Sequence, residues 1–193
     1  ETDFVAKNND FKAFVKELSI INNNCNSNKE KLLVSKMNNN KTVNENLIDL
    51  ISKIGEKITI GRLKSMISDK KEKNYSYLHT IVESNLSKLA AIVKISSDED
   101  NEKINEFGKQ LSMHIAASNP LSIRENEIDL KILNKEKELI TEELKNTKKP
   151  SEIIEKISLG KLNKFKQDNS LLTQDWVMSP DKKVKDIISE LNF

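Results

Sequence analysis

Hydrophobic residues recur along the chain with two different periods, and the changes of period divide it into elements. Phe11, Phe14, Val15 and Leu18 stand at i, i+3, i+4 and i+7, the spacing of one face of an α-helix. Asn8 or Asp10 can cap its start, because a short polar side chain there accepts N–H groups that the first turn leaves unpaired. Ahead of it, Thr2 can cap a separate short turn in which the helix dipole favours Asp3. The Asn-rich run from Asn22 to Asn28 reads as a polar connection. Helical spacing resumes at Val43, Leu47, Leu50, Ile51 and Ile54, and Gly55 is placed to end that helix.

The period then shortens to two. Ile58 and Ile60, with Leu63 after them, alternate with polar residues as a half-buried strand does. Lys70 to Asn74 reads as a polar turn. Tyr75, Tyr77 and His79 share one face of a second strand, with Ser76 and Leu78 on the other. Leu89 to Ile95 is a third strand, almost wholly apolar. Three strands in succession predict an antiparallel three-stranded sheet, and with helices on either side the class is α+β. Asp98 to Asn101 can start a helix with Ile104, Phe107, Leu111, Ile115 and Ala116 on its apolar face, ending before Pro120. Leu130, Leu133, Ile140 and Leu144, then Ile153, Ile154, Ile157, Leu162 and Phe165, predict two charged helices. A polar break at Asn146 to Lys149 and a helix start at Pro150 join them into an antiparallel hairpin. Val184, Ile187, Ile188 and Leu191 make a last helix after Pro180.

Composition narrows what such a fold can do. The chain has 193 residues, of which 36% are hydrophobic, 32% charged and only 5% aromatic, so its core must be built mainly from Ile, Leu and Val. Net charge is +2, from 32 basic and 30 acidic residues, which argues against a protein held to nucleic acid by bulk charge. One cysteine, Cys25, excludes a disulfide framework and a multi-cysteine zinc site. No apolar run approaches the ~20 residues that cross a bilayer, so no membrane association is expected. These features suit a reducing, soluble compartment. The start at Glu1 and the end at Phe193 read as those of a piece of a longer protein.

Catalytic groupings are scarce. His79 and His114 lack metal-ligand spacing and read as structural or interface residues. The glycines at 55, 61, 108 and 160 form no phosphate-binding loop. Acidic pairs such as Glu142-Glu143 read as solvated surface. The expectation is a protein that is not an enzyme and uses neither a metal nor a cofactor.

Several blocks instead carry a resemblance. Glu1-Thr2-Asp3-Phe4-Val5-Ala6-Lys7 resembles the signature of the elongation factor Ts family, and Lys53-Ile54-Gly55-Glu56-Lys57-Ile58 its second block. Tyr77-Leu78-His79 is similar to a strand motif of that family, and Met113-His114-Ile115-Ala116-Ala117-Ser118-Asn119-Pro120 to a helix motif. Lys149-Pro150-Ser151-Glu152-Ile153, Gly160-Lys161-Leu162-Asn163-Lys164-Phe165 and Ser170-Leu171-Leu172-Thr173-Gln174-Asp175-Trp176-Val177-Met178 continue the match in family order. The chain departs from the family at Gly61-Arg62, and at Thr80 with Glu83-Ser84-Asn85, where a Gly-rich turn is frequent.

The resemblance implies two α+β subdomains, placed at 1–72 and at 73–128 with 171–193, and a helical hairpin inserted at 129–170. It implies a guanine nucleotide exchange factor for elongation factor Tu, binding that partner both with GDP and without nucleotide. Asp3 and Phe4 would disturb the partner's magnesium and phosphate contacts, Phe4 as an apolar wedge. Ile54, Gly55 and His79 would extend that contact, and Val177 and Met178 would make a second one. Read from pattern alone, Phe4, Val177 and Met178 also fit core positions, and Asp3 a first helical turn. The competing function is a scaffold or chaperone that binds elongation factor Tu without exchange. The family's setting is the bacterial cytoplasm, with mitochondrion or plastid as the alternative, and a homodimer is left open.

Overall fold

The computed structural model describes residues 2–98, 101–145 and 150–191. Glu1, residues 99 and 100 of the expected helix start, the polar break at 146–149 and the last two residues lie outside them. The chain divides into two compact units, one of residues 1–70 with 78–90 and one of residues 71–77 with 91–193.

The first unit opens with four helices, α1 (Asp3–Lys7), α2 (Asn9–Asn24), α3 (Lys29–Val34) and α4 (Val43–Ile54). Asn8 serves two of them. Its N–H donates to Val5 O at 2.9 Å, closing α1, and its Oδ1 accepts from Asp10 and Phe11, opening α2. At α4 the Thr42 hydroxyl accepts the Glu45 N–H at 3.1 Å while the Glu45 carboxylate accepts the Thr42 N–H at 2.7 Å, a reciprocal cap. The core of this unit joins Val5, Phe14, Leu32, Met37, Val43, Leu50, Ile58 and Ile60.

Two sequence expectations change here. α2 runs on through Asn24 into the Asn-rich stretch, and Asn22 is buried there, its amide reaching Lys64 O at 3.4 Å. α3 follows where no helix was expected. It has 6 residues, too few for a 3.6-residue period to show, and rests on the Asn28 cap and the fully buried Leu32.

The hairpin of β1 (Glu72–Glu83) and β2 (Leu86–Ser96) supplies strands to both units. Among the described residues the sheets are two-stranded, β1 with β2 and β3 with β4, so the expected three-stranded sheet is corrected. Ile58 to Leu63 alternates in burial as read, with Ile58 and Ile60 inside, yet joins no ladder. Its backbone is met by a side chain instead, Lys29 Nζ donating to Ile60 O at 2.6 Å. Alternation records one-sided burial; it does not specify what the backbone pairs with. Tyr75 and Tyr77 share the inner parity, but the alternation shifts before His79, which is exposed. Thr80 follows with φ +53°, a left-handed value that a β-branched residue rarely adopts.

The second unit contains α5 (Glu102–Ser118), α6 (Leu130–Lys145), α7 (Ser151–Asp168), the short strands β3 (Asp175–Trp176) and β4 (Ser179–Lys183), and α8 (Val184–Leu191). Asn101 caps α5 by accepting the Ile104 N–H at 3.0 Å, and Asn119 ends it in the left-handed region. The core gathers Tyr75, Ile95, Ile104, Phe107, Leu111, Leu171, Trp176 and Val184. Gly108 lets the Tyr75 ring lie on α5, since a Cβ there would stand 2.4 Å from that ring. α6 and α7 run back along one another as the expected helical hairpin, with Lys161 meeting Glu143 at 2.7 Å and Ile140 and Leu144 buried. The α+β class stands.

Candidate functional site

α1 has 5 residues, too few to be stable alone, so its direction depends on what holds it. Val5 is fully buried and anchors the helix to the core. Successive helical residues point about 100° apart, so burying Val5 turns Phe4 outward, where it is 75% exposed. An apolar ring held out on an ordered helix is not filling a core. The Thr2 hydroxyl caps α1 by accepting the Val5 N–H at 3.4 Å and donates to Glu56 Oε1 at 2.9 Å. Asp3 pairs with Lys88 of β2, whose hydrogen bond and charge hold the carboxyl below its usual range.

α4 delivers the next two residues. Its last turn ends in half-buried Ile54, and Gly55 takes φ +79° while its N–H closes on Ile51 O at 2.8 Å. Lys53 meets Asp10 of α2 at 2.6 Å, and Glu56 meets Thr2, so the end of α4 is tied to α1 and to the helix that follows it. Asp3, Phe4, Ile54 and Gly55 are thereby brought onto connected elements. His79 lies in the same unit, on the hairpin whose other strand carries Lys88. Lys16 and Lys12 meet Glu83 near the hairpin turn, at 2.7 and 3.6 Å. A groove of about 390 Å³ is lined by Thr2, Asp3, Phe11, Ile60, Arg62 and Lys88.

Val177 and Met178 belong to the second unit, in the connection between β3 and β4, and are 48% and 40% exposed. Beneath them Trp176 is buried, 5.8 Å from the Phe107 ring and stacked 5.2 Å from His114. His114 Nδ1 accepts the Val177 N–H at 3.3 Å, which leaves Nε2 to donate to Gln174 Oε1 at 3.1 Å. Burial lowers the imidazole pKa against the smaller opposing effect of Gln174, favouring the neutral ring that this pattern requires. The Gln174 amide donates to Asp168 O at 2.9 Å and to Ser118 O at 3.3 Å. The connection is thus fastened to the ends of α5 and α7.

Sequence reasoning passed over Glu56, Lys88 and Gln174 as contributors to the site. Glu56 and Gln174 stand inside the quoted blocks, but nothing in the pattern shows which partners they reach. Lys88 carries no local signal, because its role depends on a residue 85 positions away. Among the described residues no group of three or more His, Cys, Asp and Glu could hold a metal ion, and no helix is long and apolar enough to cross a membrane.

The geometry is that of a small α+β protein that holds apolar side chains outward on capped and ion-paired elements. The family model for Elongation factor TS matches residues 1–193, and the chain belongs to that family. Elongation factor Ts of Paracoccus denitrificans strain Pd 1222 is 34% identical over 190 residues, 98% of this chain and 62% of that relative. The Sinorhizobium medicae strain WSM419 protein of the same name is 34% identical over 193 residues, again 98% and 62%. That of Parvibaculum lavamentivorans strain DS-1 is 33% identical over 186 residues, 96% and 60%. The chain therefore spans about 62% of the length of the first two relatives.

Proposed function

We propose that this chain is a guanine nucleotide exchange factor for elongation factor Tu, promoting GDP release during translation elongation. Family membership supports the reading, and the observation that carries it is Phe4, an aromatic ring 75% exposed on a helix anchored by its neighbour Val5. Exposing such a ring is unfavourable in water and is recovered when a partner covers it. On this reading Phe4 enters between helices beside the partner's magnesium site, and the Asp3 carboxylate perturbs the ion's surroundings. The Asp3–Lys88 pair is exposed, so opening it costs little. Ile54, Gly55 and His79 extend the contact, while Val177 and Met178 hold a second region of the partner. The hairpin at 129–170 is an insertion in the C-terminal subdomain.

No bond is made or broken in such an exchange. The factor binds the nucleotide-free partner more tightly than the GDP form, so by linkage it weakens GDP binding by the same factor. It needs no metal or cofactor of its own. Its bacterial relatives support a setting in the bacterial cytoplasm.

The test is stopped-flow release of fluorescent GDP from elongation factor Tu, with excess unlabelled GDP present. Acceleration that rises with the concentration of this chain and then saturates is the expected outcome. Binding in a pull-down without acceleration would exclude exchange and leave a scaffold.

A further inference from the structure

The Thr2 hydroxyl is committed on both sides. It accepts the Val5 N–H at 3.4 Å as the cap of α1 and donates to Glu56 Oε1 at 2.9 Å. Glu56 directly follows Gly55, the left-handed residue that ends α4. α1 is gripped at four places: Val5 in the core, Asn8 at its C-terminal end, Thr2 at its N-terminal end, and Asp3 by Lys88. Val5 and Asn8 hold the middle and the C-terminal end of the helix. The Thr2–Glu56 bond is a directional contact at the other end, which carries Phe4. The Lys88–Asp3 pair and the Thr2–Glu56 bond are both exposed, but the ion pair is the less directional of the two and is screened by salt.

We propose that Glu56 is a positioning residue: through the Thr2 hydroxyl it sets the angle at which α1 presents Phe4, and it ties that angle to the Gly55 end of α4. It rests on the exchange reading of Phe4. What the contact needs is an acceptor oxygen rather than a charge, so glutamine should serve in place of glutamate and alanine should not.

The experiment uses the full chain and two readouts, hydrogen exchange of the Val5 and Ala6 amides in the free protein and GDP release from elongation factor Tu at saturation. Both amides bond to Thr2, through its hydroxyl and its carbonyl. Glu56→Ala is expected to lower their protection and to slow saturated release by about three- to tenfold, with the half-saturating concentration little changed. Glu56→Gln should restore both readouts to within about twofold. In a Thr2→Val background, where the donor is already gone, Glu56→Ala should have no further effect. Unchanged amide protection in Glu56→Ala would overturn the proposal, as would Glu56→Gln as slow as the alanine variant. So would lost protection with normal release in a preparation where Phe4→Ala still slows release. If Phe4→Ala itself leaves release unchanged, the exchange reading falls and the positioning role falls with it.

Discussion

Phe4 and Val5 are neighbours in the chain with opposite fates, one 75% exposed and the other wholly buried. The helical turn between them converts an apolar pair into an anchor and a projecting ring. Phe4→Ala should therefore slow GDP release at saturation by about tenfold or more while the melting temperature stays within about a degree. An equal loss of both would show that the ring supports the fold. Two glycines separate conformational freedom from space. Gly55→Ala meets no atom within 4 Å but places a side chain at φ +79°, so a loss of about 1 kcal/mol is expected. Gly108→Ala has ordinary backbone but would drive a Cβ to 2.4 Å from the Tyr75 ring, so a larger loss of about 1–3 kcal/mol is expected. Chemical denaturation of both variants distinguishes strain from overpacking by this order.

Among the elements, those with a long apolar stripe and a capping residue were legible from the sequence. Helices α4, α5 and α8, and the start of α2, lie where periodicity and the residues Asn8, Gly55 and Asn101 put them, while α2 overruns its expected end to Asn24. α3 was not legible because a single turn and a half cannot display a period, and Ile58 to Leu63 misled because burial alternates there without a partner strand. The family resemblance marks Val177 and Met178 as a candidate contact, but the fastening of their connection by His114 and Gln174 joins residues 60 positions apart. That fastening has a pH signature. The folded imidazole has its pKa lowered below 6.5, so between the two values the unfolded chain binds more protons than the folded one. Stability is full above about 6.5 and falls as pH drops through that window toward the folded value. The ring faces Gln174 and Trp176, neither of which titrates there. Thermal melts should show this slope in the parent chain and lose it in His114→Asn, at a lower overall stability.

For the whole molecule, the residues proposed to meet the partner divide between the two units. Asp3, Phe4, Ile54, Gly55 and His79 belong to the first, and Val177 and Met178 to the second. Their substitutions should separate kinetically. Val177→Asp is expected to raise the concentration of chain needed for half-maximal GDP release by about tenfold or more while leaving the saturated rate within about twofold. Phe4→Ala should do the reverse. A titration of release rate against chain concentration reads both. A Val177→Asp variant that binds as the parent does would remove Val177 as an anchor.

What the sequence determined by itself was local and compositional. Caps, helical stripes, the α+β class and the ordered blocks of the Elongation factor TS family all follow from residues close together in the chain. Periodicity and capping act over one or two turns, so they survive without knowledge of the rest. The tertiary structure decided which apolar residues face water, which strand edges find partners, and which distant side chains meet. Phe4 and Val5 cannot be told apart by hydropathy, and only the packing of α1 turns one inward. Thr2 with Glu56, Asp3 with Lys88, and His114 with Gln174 are 54, 85 and 60 positions apart. Such pairs depend on how the whole chain closes on itself, because a hydrogen bond is specified by position in space and leaves no period in the sequence.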